Sequence, residues 1–170
     1  PPPHDAEKKE HPASHRQAPP PSLTLARAEQ VTPATVGLSC VKQYYHVMAN
    51  MPELMHKFYK PNSSWSLADG DDETTAHGTE DITSVFSECA LKGAKADFAD
   101  GGMTFQASFG VDDPTASKGI FILVHGEIHT AAPVRGRSVR LFQQAFLLDK
   151  QPTGFYLRND CFRFVDTEFD

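Results

Sequence analysis

Residues 36–65 restrict the fold of this chain more than any other stretch, because no other long apolar stretch has helical spacing. Its apolar side chains recur at steps of three and four, which places them on one helix face: Val36, Cys40, Tyr44, Val47 and Met48. Thr32, followed by Pro33, predicts the start of this helix. Burying that face stabilises the fold by on the order of 10 kcal/mol only if a second layer covers it. The rest of the chain must therefore supply a sheet.

Two shorter helices are predicted after the first. One begins at Met51-Pro52 and ends before Pro61. The other has Thr79 as its cap and a buried face formed by Ile82, Val85, Phe86 and Cys89. Between them, residues 62–64 predict a turn that leads into a strand at Trp65, and residues 69–73 predict a solvated acidic loop.

After Ala94 the apolar period changes from helical to two, which predicts strands at 119–130, 137–150 and 155–165. The second of these has apolar side chains on both faces, since Val139, Leu141, Ala145 and Leu147 alternate with Phe142, Phe146 and Leu148. An antiparallel sheet that is apolar on both faces must be covered twice. We expect helices on one face and, on the other, a second copy of the domain or another protein, of which a homodimer is the simpler solution.

Composition divides the chain into a tail and one domain. Residues 1–31 are proline-rich with few large apolar side chains, which predicts a disordered tail whose proline run at 19–21 allows polyproline docking. The domain is expected at 32–168. It carries the whole net charge of −6, because acidic and basic residues of the tail cancel. An acidic domain without a basic stripe is a poor binder of nucleic acid or anionic membrane.

Other sequence signals exclude several classes. No apolar run reaches the length of a membrane span, and no signal peptide is evident. The three cysteines, Cys40, Cys89 and Cys161, are odd in number and widely spaced, which argues against a disulfide framework and a C-x-x-C metal site. A reducing compartment is expected, with no metal or cofactor.

Five motifs carry a resemblance to a known family: VKQYY at 41–45, HKFY at 56–59, NSSW at 62–65, HGTEDI at 77–82 and NDCFRF at 159–164. Together with the order of elements they resemble the nuclear transport factor 2-like family. That resemblance implies an α+β fold in which three amino-terminal helices pack on a curved antiparallel sheet to form a cone. Within the family, the motifs look most like the amino-terminal domain of the Ras-GAP SH3-domain-binding proteins, which nucleate stress granules.

The resemblance implies a homodimeric, non-catalytic domain that binds short phenylalanine motifs of FxFG or FGDF type. It also implies a cytoplasmic scaffold in ribonucleoprotein or stress granules, involved in mRNA metabolism. The peptide groove would lie between the first helices and the last strand. Matched by motif position, it would use these residues: Val36, Cys40, Gln43, His56, Lys57, Phe58 and Phe162. Cys40 departs from the stress-granule proteins of this family, which have phenylalanine one turn after the VG at 36–37.

Three alternatives remain open from the sequence. A nuclear transport factor proper would bind a small GTPase through acidic residues at the cone mouth, such as those at 69–73. An isomerase or dehydratase of the same fold would use a base in an apolar cavity, for which the candidates are Asp97, Asp160, Tyr44 and Tyr45. Zinc could bind to two imidazoles and a carboxylate that share one strand face: His125, Glu127 and His129.

Overall fold

A computed structural model describes residues 32–98, 101–109 and 117–167. The predicted tail at 1–31 and the last residue of the predicted domain lie outside these ranges. The described chain has helix α1 at Pro33–Asn50, a 3-10 helix at Pro52–Phe58 and helix α2 at Gly78–Phe86. Three helices were predicted, and the second is of the tighter 3-10 type. None of the described helices is both long and apolar enough to cross a membrane.

The helix starts follow side-chain chemistry, but one predicted cap is wrong. Thr32 caps α1 as predicted, because its hydroxyl accepts a hydrogen bond from the amide of Thr35 at 3.2 Å. Helix α2 begins at Gly78 rather than after Thr79. The Asp81 carboxylate accepts the amide of His77 at 2.9 Å, and the carbonyl of Thr79 is already inside the helix, where it accepts from the Thr83 hydroxyl.

Seven strands form one sheet in the described chain. Their bounds are β1 Tyr59–Asp69, β2 Asp72–His77, β3 Lys95–Asp97, β4 Met103–Phe109, β5 Ser117–Val134, β6 Arg137–Gln151 and β7 Gly154–Phe164. The order across the sheet is β2-β1-β7-β6-β5-β3, and β4 also pairs with β5. The sheet is mixed rather than wholly antiparallel as expected, because β1 and β7 run parallel. The chain that connects β1 to β7 includes most of the domain. No short hairpin therefore forces the two strands to run antiparallel.

The polar run at 62–64, expected as a turn, lies inside β1. Ser63 is buried; its hydroxyl accepts the amide of Lys60 at 2.9 Å and donates to the carbonyl of Leu157 at 2.5 Å. The β1–β7 register shifts between Tyr59 and Ser64. These serine bonds satisfy the backbone where the register slips, so the strand continues through the irregularity.

The predicted alternation in the long strands is confirmed. Inner positions of β5 and β6, including Ile122 and Phe142, are fully buried beneath the helices. Alternate side chains point outward and remain 37–49% exposed on a surface that we call the outer apolar face: Phe121, Leu123, Val139, Leu141 and Val165. One layer of helices covers the inner face, and the described chain leaves the outer one open.

Arg140 breaks the apolar pattern of β6 at an inner position. Its guanidinium is 1% exposed, bonds both carboxylate oxygens of Asp69 at 2.6 and 3.0 Å, and pairs with Asp166 at 2.9 Å. It also lies 4.2 Å from the ring centre of Phe164. Hydrogen bonding to Arg140 keeps the pKa of Asp69 below its ordinary value. Arg140 therefore ties the end of β1 to the chain that follows β7.

Candidate functional site

Helix α1 and the 3-10 helix carry six of the seven predicted peptide-binding residues. At 100° per residue, Val36, Cys40 and Gln43 fall within about 60° of one another around α1. Val36 and Cys40 are half-buried and Gln43 is exposed. The 3-10 helix contributes the remaining three, His56, Lys57 and Phe58. We call these six residues the helix-junction surface.

Phe58 connects the two helices. Its half-buried ring lies 5.5 Å from the ring of Tyr44, which follows Cys40 by one turn of α1. Tyr44 is fully buried, so it fixes Phe58 from beneath while part of the Phe58 ring stays accessible. The arrangement provides an aromatic side chain that can contact a guest ring.

Phe162, the seventh predicted residue, lies elsewhere. Its side chain is 1% exposed and stacks on Phe142 with ring centres 5.0 Å apart and planes within 4°. It also meets Phe164 edge-on. In this structure Phe162 belongs to the core between the sheet and the helices and does not line the helix-junction surface.

The polar groups of this surface have defined roles. His56 places Nδ1 2.9 Å from the backbone carbonyl of Glu53. Because a carbonyl only accepts, Nδ1 carries the hydrogen, and Nε2 of the neutral ring is an acceptor. Burial, followed by the charge of Asp160, raises the pKa of Cys40 to about 11. Cys40 is therefore a neutral thiol at ordinary pH and acts as a small apolar side chain.

A buried polar network lies directly beneath these helices. The hydroxyls of Tyr44 and Tyr59 donate to Oδ2 of Asp160 at 2.8 and 2.7 Å. Gln144 donates to Oδ1 of Asp160 at 2.7 Å and accepts from Tyr45 at 2.5 Å. Burial raises the pKa of Asp160 to about 6, although all three hydrogen bonds favour the carboxylate.

The network accounts for three of the four residues that could have formed a catalytic site. Asp160 is fully buried and its oxygens are occupied by protein donors. Cavities beside the 3-10 helix, on the outer sheet face and along α1 are lined by other residues than Asp160, Tyr44 or Tyr45. The fourth candidate, Asp97, is 55% exposed, and its Oδ2 lies 3.1 Å from Nε2 of His129. These positions fit a structural role.

The zinc hypothesis is wrong for the described residues, which contain no group of three or more potential ligands that could hold a metal. His129 lies 3.1 Å from Asp97 and 3.7 Å from Glu127, and the third member of the predicted set, His125, does not join them. Neighbouring same-face positions on a strand are too widely spaced for all three side chains to converge on one ion.

Two of the four carboxylates in the acidic stretch at 69–73 form ion pairs. Asp69 pairs with Arg140 at 2.6 Å and with Arg135 at 3.1 Å, and Asp72 pairs with Arg135 at 3.0 Å. Gly70, with φ +62°, forms the turn between β1 and β2 together with Asp71. Two of the carboxylates that a GTPase-binding site at the cone mouth would use, those of Asp69 and Asp72, are thus already paired with arginines of the same chain.

Comparison with known proteins identifies the fold. The model of the nuclear transport factor 2 (NTF2) domain family matches residues 36–164. Curated relatives include "Nuclear transport factor 2" of Arabidopsis thaliana, 28% identical over 77% of this chain and 26% of its own length. A "Putative G3BP-like protein" of Schizosaccharomyces pombe is 29% identical over 76% of this chain and 27% of its own length. The chain spans about a quarter of the length of these relatives.

Solved structures share the architecture at low sequence identity. Yeast UBP3-associated protein BRE5 has a TM-score of 0.65 and 23% identity, with 81% of this chain and 99% of that chain covered. Nuclear transport factor 2 from Cryptosporidium parvum has a TM-score of 0.60 and 21% identity, with 78% and 94% covered. Both likenesses confirm the nuclear transport factor 2-like α+β fold.

Asp160 should give folding a distinct pH dependence. Its pKa rises from 3.8 in the unfolded chain to about 6 in the fold, so between those values the unfolded state loses its proton first and folding weakens as pH rises. The difference corresponds to on the order of 3 kcal/mol. We predict that Asp160→Asn removes this decline in the free energy of unfolding between pH 4 and 6, measured by urea denaturation.

Asp71→Asn is the matched control, because Asp71 is exposed in the β1–β2 turn. This variant should keep the decline of the parent chain. If Asp160→Asn shows the same decline as Asp71→Asn, Asp160 is not the group that titrates in this range.

Proposed function

The chain belongs to the nuclear transport factor 2 domain family, and on that premise we propose that it is a non-catalytic protein-interaction domain. It pairs with a second copy of itself and binds short FxFG or FGDF motifs at the helix-junction surface. The observation that carries this proposal is the half-buried Phe58, whose ring packs against Tyr44. Exposed Lys57 precedes Phe58 in the chain, and exposed Gln43 precedes Tyr44.

The chemistry of the helix-junction surface suits such a peptide. A guest phenylalanine would contact Phe58 and the small apolar side chains of Val36 and Cys40, and aromatic contacts contribute about 0.5–1.5 kcal/mol beyond burial. Nε2 of His56 would accept a peptide amide, since Nδ1 is already committed to Glu53. Lys57 is exposed and would pair with the acidic residue of an FGDF motif.

We propose that Cys40 adjusts this site rather than removing it. The stress-granule proteins that these motifs resemble have phenylalanine here, and the smaller thiol would leave more room for a guest ring on this face of α1. A guest ring could insert further, at the cost of one aromatic contact. Phe162 would contribute only from beneath, by packing the core against which the helices rest.

The groove is tested by titrating a labelled FGDF peptide into the chain and following fluorescence anisotropy. We expect saturable binding in the micromolar range, and a loss of at least tenfold in Phe58→Ala, because the guest ring loses its main aromatic contact. Leu38→Ala is the matched control. Leu38 is 38% exposed and lies on the opposite side of α1 from Val36. The Leu38→Ala variant should therefore bind the peptide like the parent chain. Equal losses in both variants would contradict the assignment.

The homodimer rests on the outer apolar face. Five large apolar side chains, 37–49% exposed, lie on one face of β5, β6 and the residue after β7 in two clusters: Phe121 with Leu123, and Val139 with Leu141 and Val165. The pair of His125 with Gln143 lies between the two clusters. Exposed apolar clusters bordered by polar side chains on a folded domain often mark an interaction site. A second copy offers the same surface, so a two-fold contact would cover both at once.

The dimer is tested by sedimentation velocity on Leu141→Glu. Leu141 is the most exposed member of the outer apolar face at 49%, and a carboxylate there would be buried without a partner. We expect the parent chain to sediment as a dimer and the variant as a folded monomer. Ser84→Glu adds the same charge at an exposed position of α2 and should remain dimeric. A monomeric parent chain would overturn the proposal.

The proposed setting is a cytoplasmic scaffold in ribonucleoprotein or stress granules, supported by the resemblance to Ras-GAP SH3-domain-binding proteins and by the G3BP-like relative. In this proposal the domain itself contacts neither nucleic acid nor membrane and needs no cofactor. The transport-factor alternative receives less support, because Asp69 and Asp72 are paired with arginines of the same chain.

A further inference from the structure

A second recess lies between the 3-10 helix and α2. Its volume is about 220 Å³. The apolar floor consists of side chains that are at most 5% exposed: Met55, Tyr59, Ile82 and Phe86. We call it the α2 pocket. The hydroxyl of Tyr59 is directed to Asp160, so the floor offers a guest only apolar surface.

The rim of the α2 pocket is polar and carries both signs of charge. Glu53 and His56 bound it on the side of the 3-10 helix, Thr83 and Ser87 on the side of α2, and Lys92 follows α2. Within the described residues, the side-chain charges of Glu53 and Lys92 take part in no ion pair. An apolar floor beneath unpaired charges is typical of a site that takes an apolar side chain from a segment with charges beside it.

The α2 pocket is contiguous with the helix-junction surface through His56, which belongs to both. A 3-10 helix rises about 2 Å per residue, so Met55 and Phe58 lie on the order of 6 Å apart along its axis. An extended peptide advances about 3.3 Å per residue. A peptide with a ring on Phe58 therefore reaches the α2 pocket within about two further residues.

We propose that the α2 pocket is a second subsite that takes one aliphatic side chain of the motif-bearing peptide, with an acidic residue next to it paired to Lys92. This inference rests on the proposed function. The volume favours a single side chain, because pockets for whole small molecules usually measure about 300–1,000 Å³. The unpaired ammonium of Lys92 favours a peptide whose acidic residue lies on the α2 side of the pocket. The carboxylate of Glu53 repels an acidic residue on the side of the 3-10 helix.

The test compares peptides on the full chain by fluorescence anisotropy. One peptide contains FGDF alone. Other peptides extend FGDF at one end or the other by a two-residue Gly-Ser spacer and then the pair Leu-Asp. Control peptides have the same spacer with Ser-Asp in place of Leu-Asp. We expect one Leu-Asp extension to bind about tenfold tighter than FGDF alone, because burial of a leucine side chain outweighs the ordering of the spacer. The Ser-Asp extension should bind less than threefold tighter.

Variants locate the gain. Thr83→Trp fills the α2 pocket from its exposed rim and should reduce the Leu-Asp peptide to the affinity of FGDF alone. Ser84→Trp, at the neighbouring exposed position outside the lining, should keep the gain. Lys92→Glu should weaken the Leu-Asp peptide severalfold and leave FGDF unchanged. Thermal melts of all variants establish that each is folded.

The outcomes separate the two proposals. If FGDF binds but neither Leu-Asp extension improves on it, or if Thr83→Trp and Ser84→Trp behave alike, the α2 pocket is not a subsite and the proposed function stands. If no peptide binds, both proposals fail.

Discussion

The carboxylate of Asp160 is the point on which the two layers of this domain depend. It lies on β7 and is bonded by Tyr44 of α1, Tyr59 at the start of β1 and Gln144 of β6. A buried carboxylate is costly unless its hydrogen bonds are made. The fold is therefore most favourable when α1, β1 and β6 hold one relative position, which a purely apolar core would not require.

This constraint also positions the helix-junction surface. Gln43 precedes Tyr44 on α1, and Phe58 precedes Tyr59 at the end of the 3-10 helix. Two of the proposed peptide contacts, Gln43 and Phe58, are thus chain neighbours of side chains that are bonded to Asp160. A surface held in this way is pre-organised, so binding a peptide requires little ordering of the domain itself.

Local patterns in the sequence predicted the parts of the structure that depend on local chemistry. The period of two from Ile120 specifies which face of the long strands is buried, and the structure confirms it. The helical spacing predicted the burial of Tyr44, Val47 and Met48 correctly. The buried face of α1 continues toward the helix start through Val41 and Gly37, however, and Val36 and Cys40 are only half-buried. The cap at Thr32 follows from a threonine before a proline. The predicted cap at Thr79 was wrong because α2 already begins at Gly78, where the Asp81 carboxylate accepts the amide of the preceding His77.

Long-range pairings were less accessible. The parallel contact of β1 with β7 joins residues roughly one hundred positions apart, and neither strand pattern indicates its neighbour. Asp160 was considered as a catalytic base, since one carboxylate in an apolar motif does not show which donors will surround it. Arg140 was missed, although a lone arginine at an inner strand position was a signal for a buried ion pair. Phe162 was assigned to the groove by motif position, which does not distinguish a core aromatic from a surface one.

The central claim is that the junction of α1 and the 3-10 helix recognises a phenylalanine motif. The most direct measurement is a two-dimensional nitrogen–proton NMR titration of the labelled chain with an FGDF peptide. The account predicts shift changes concentrated at the amides of Val36, Gln43 and Lys57, with little change at Leu123 or Leu141 of the outer apolar face. Changes confined to the outer apolar face, or none at saturating peptide, would contradict it.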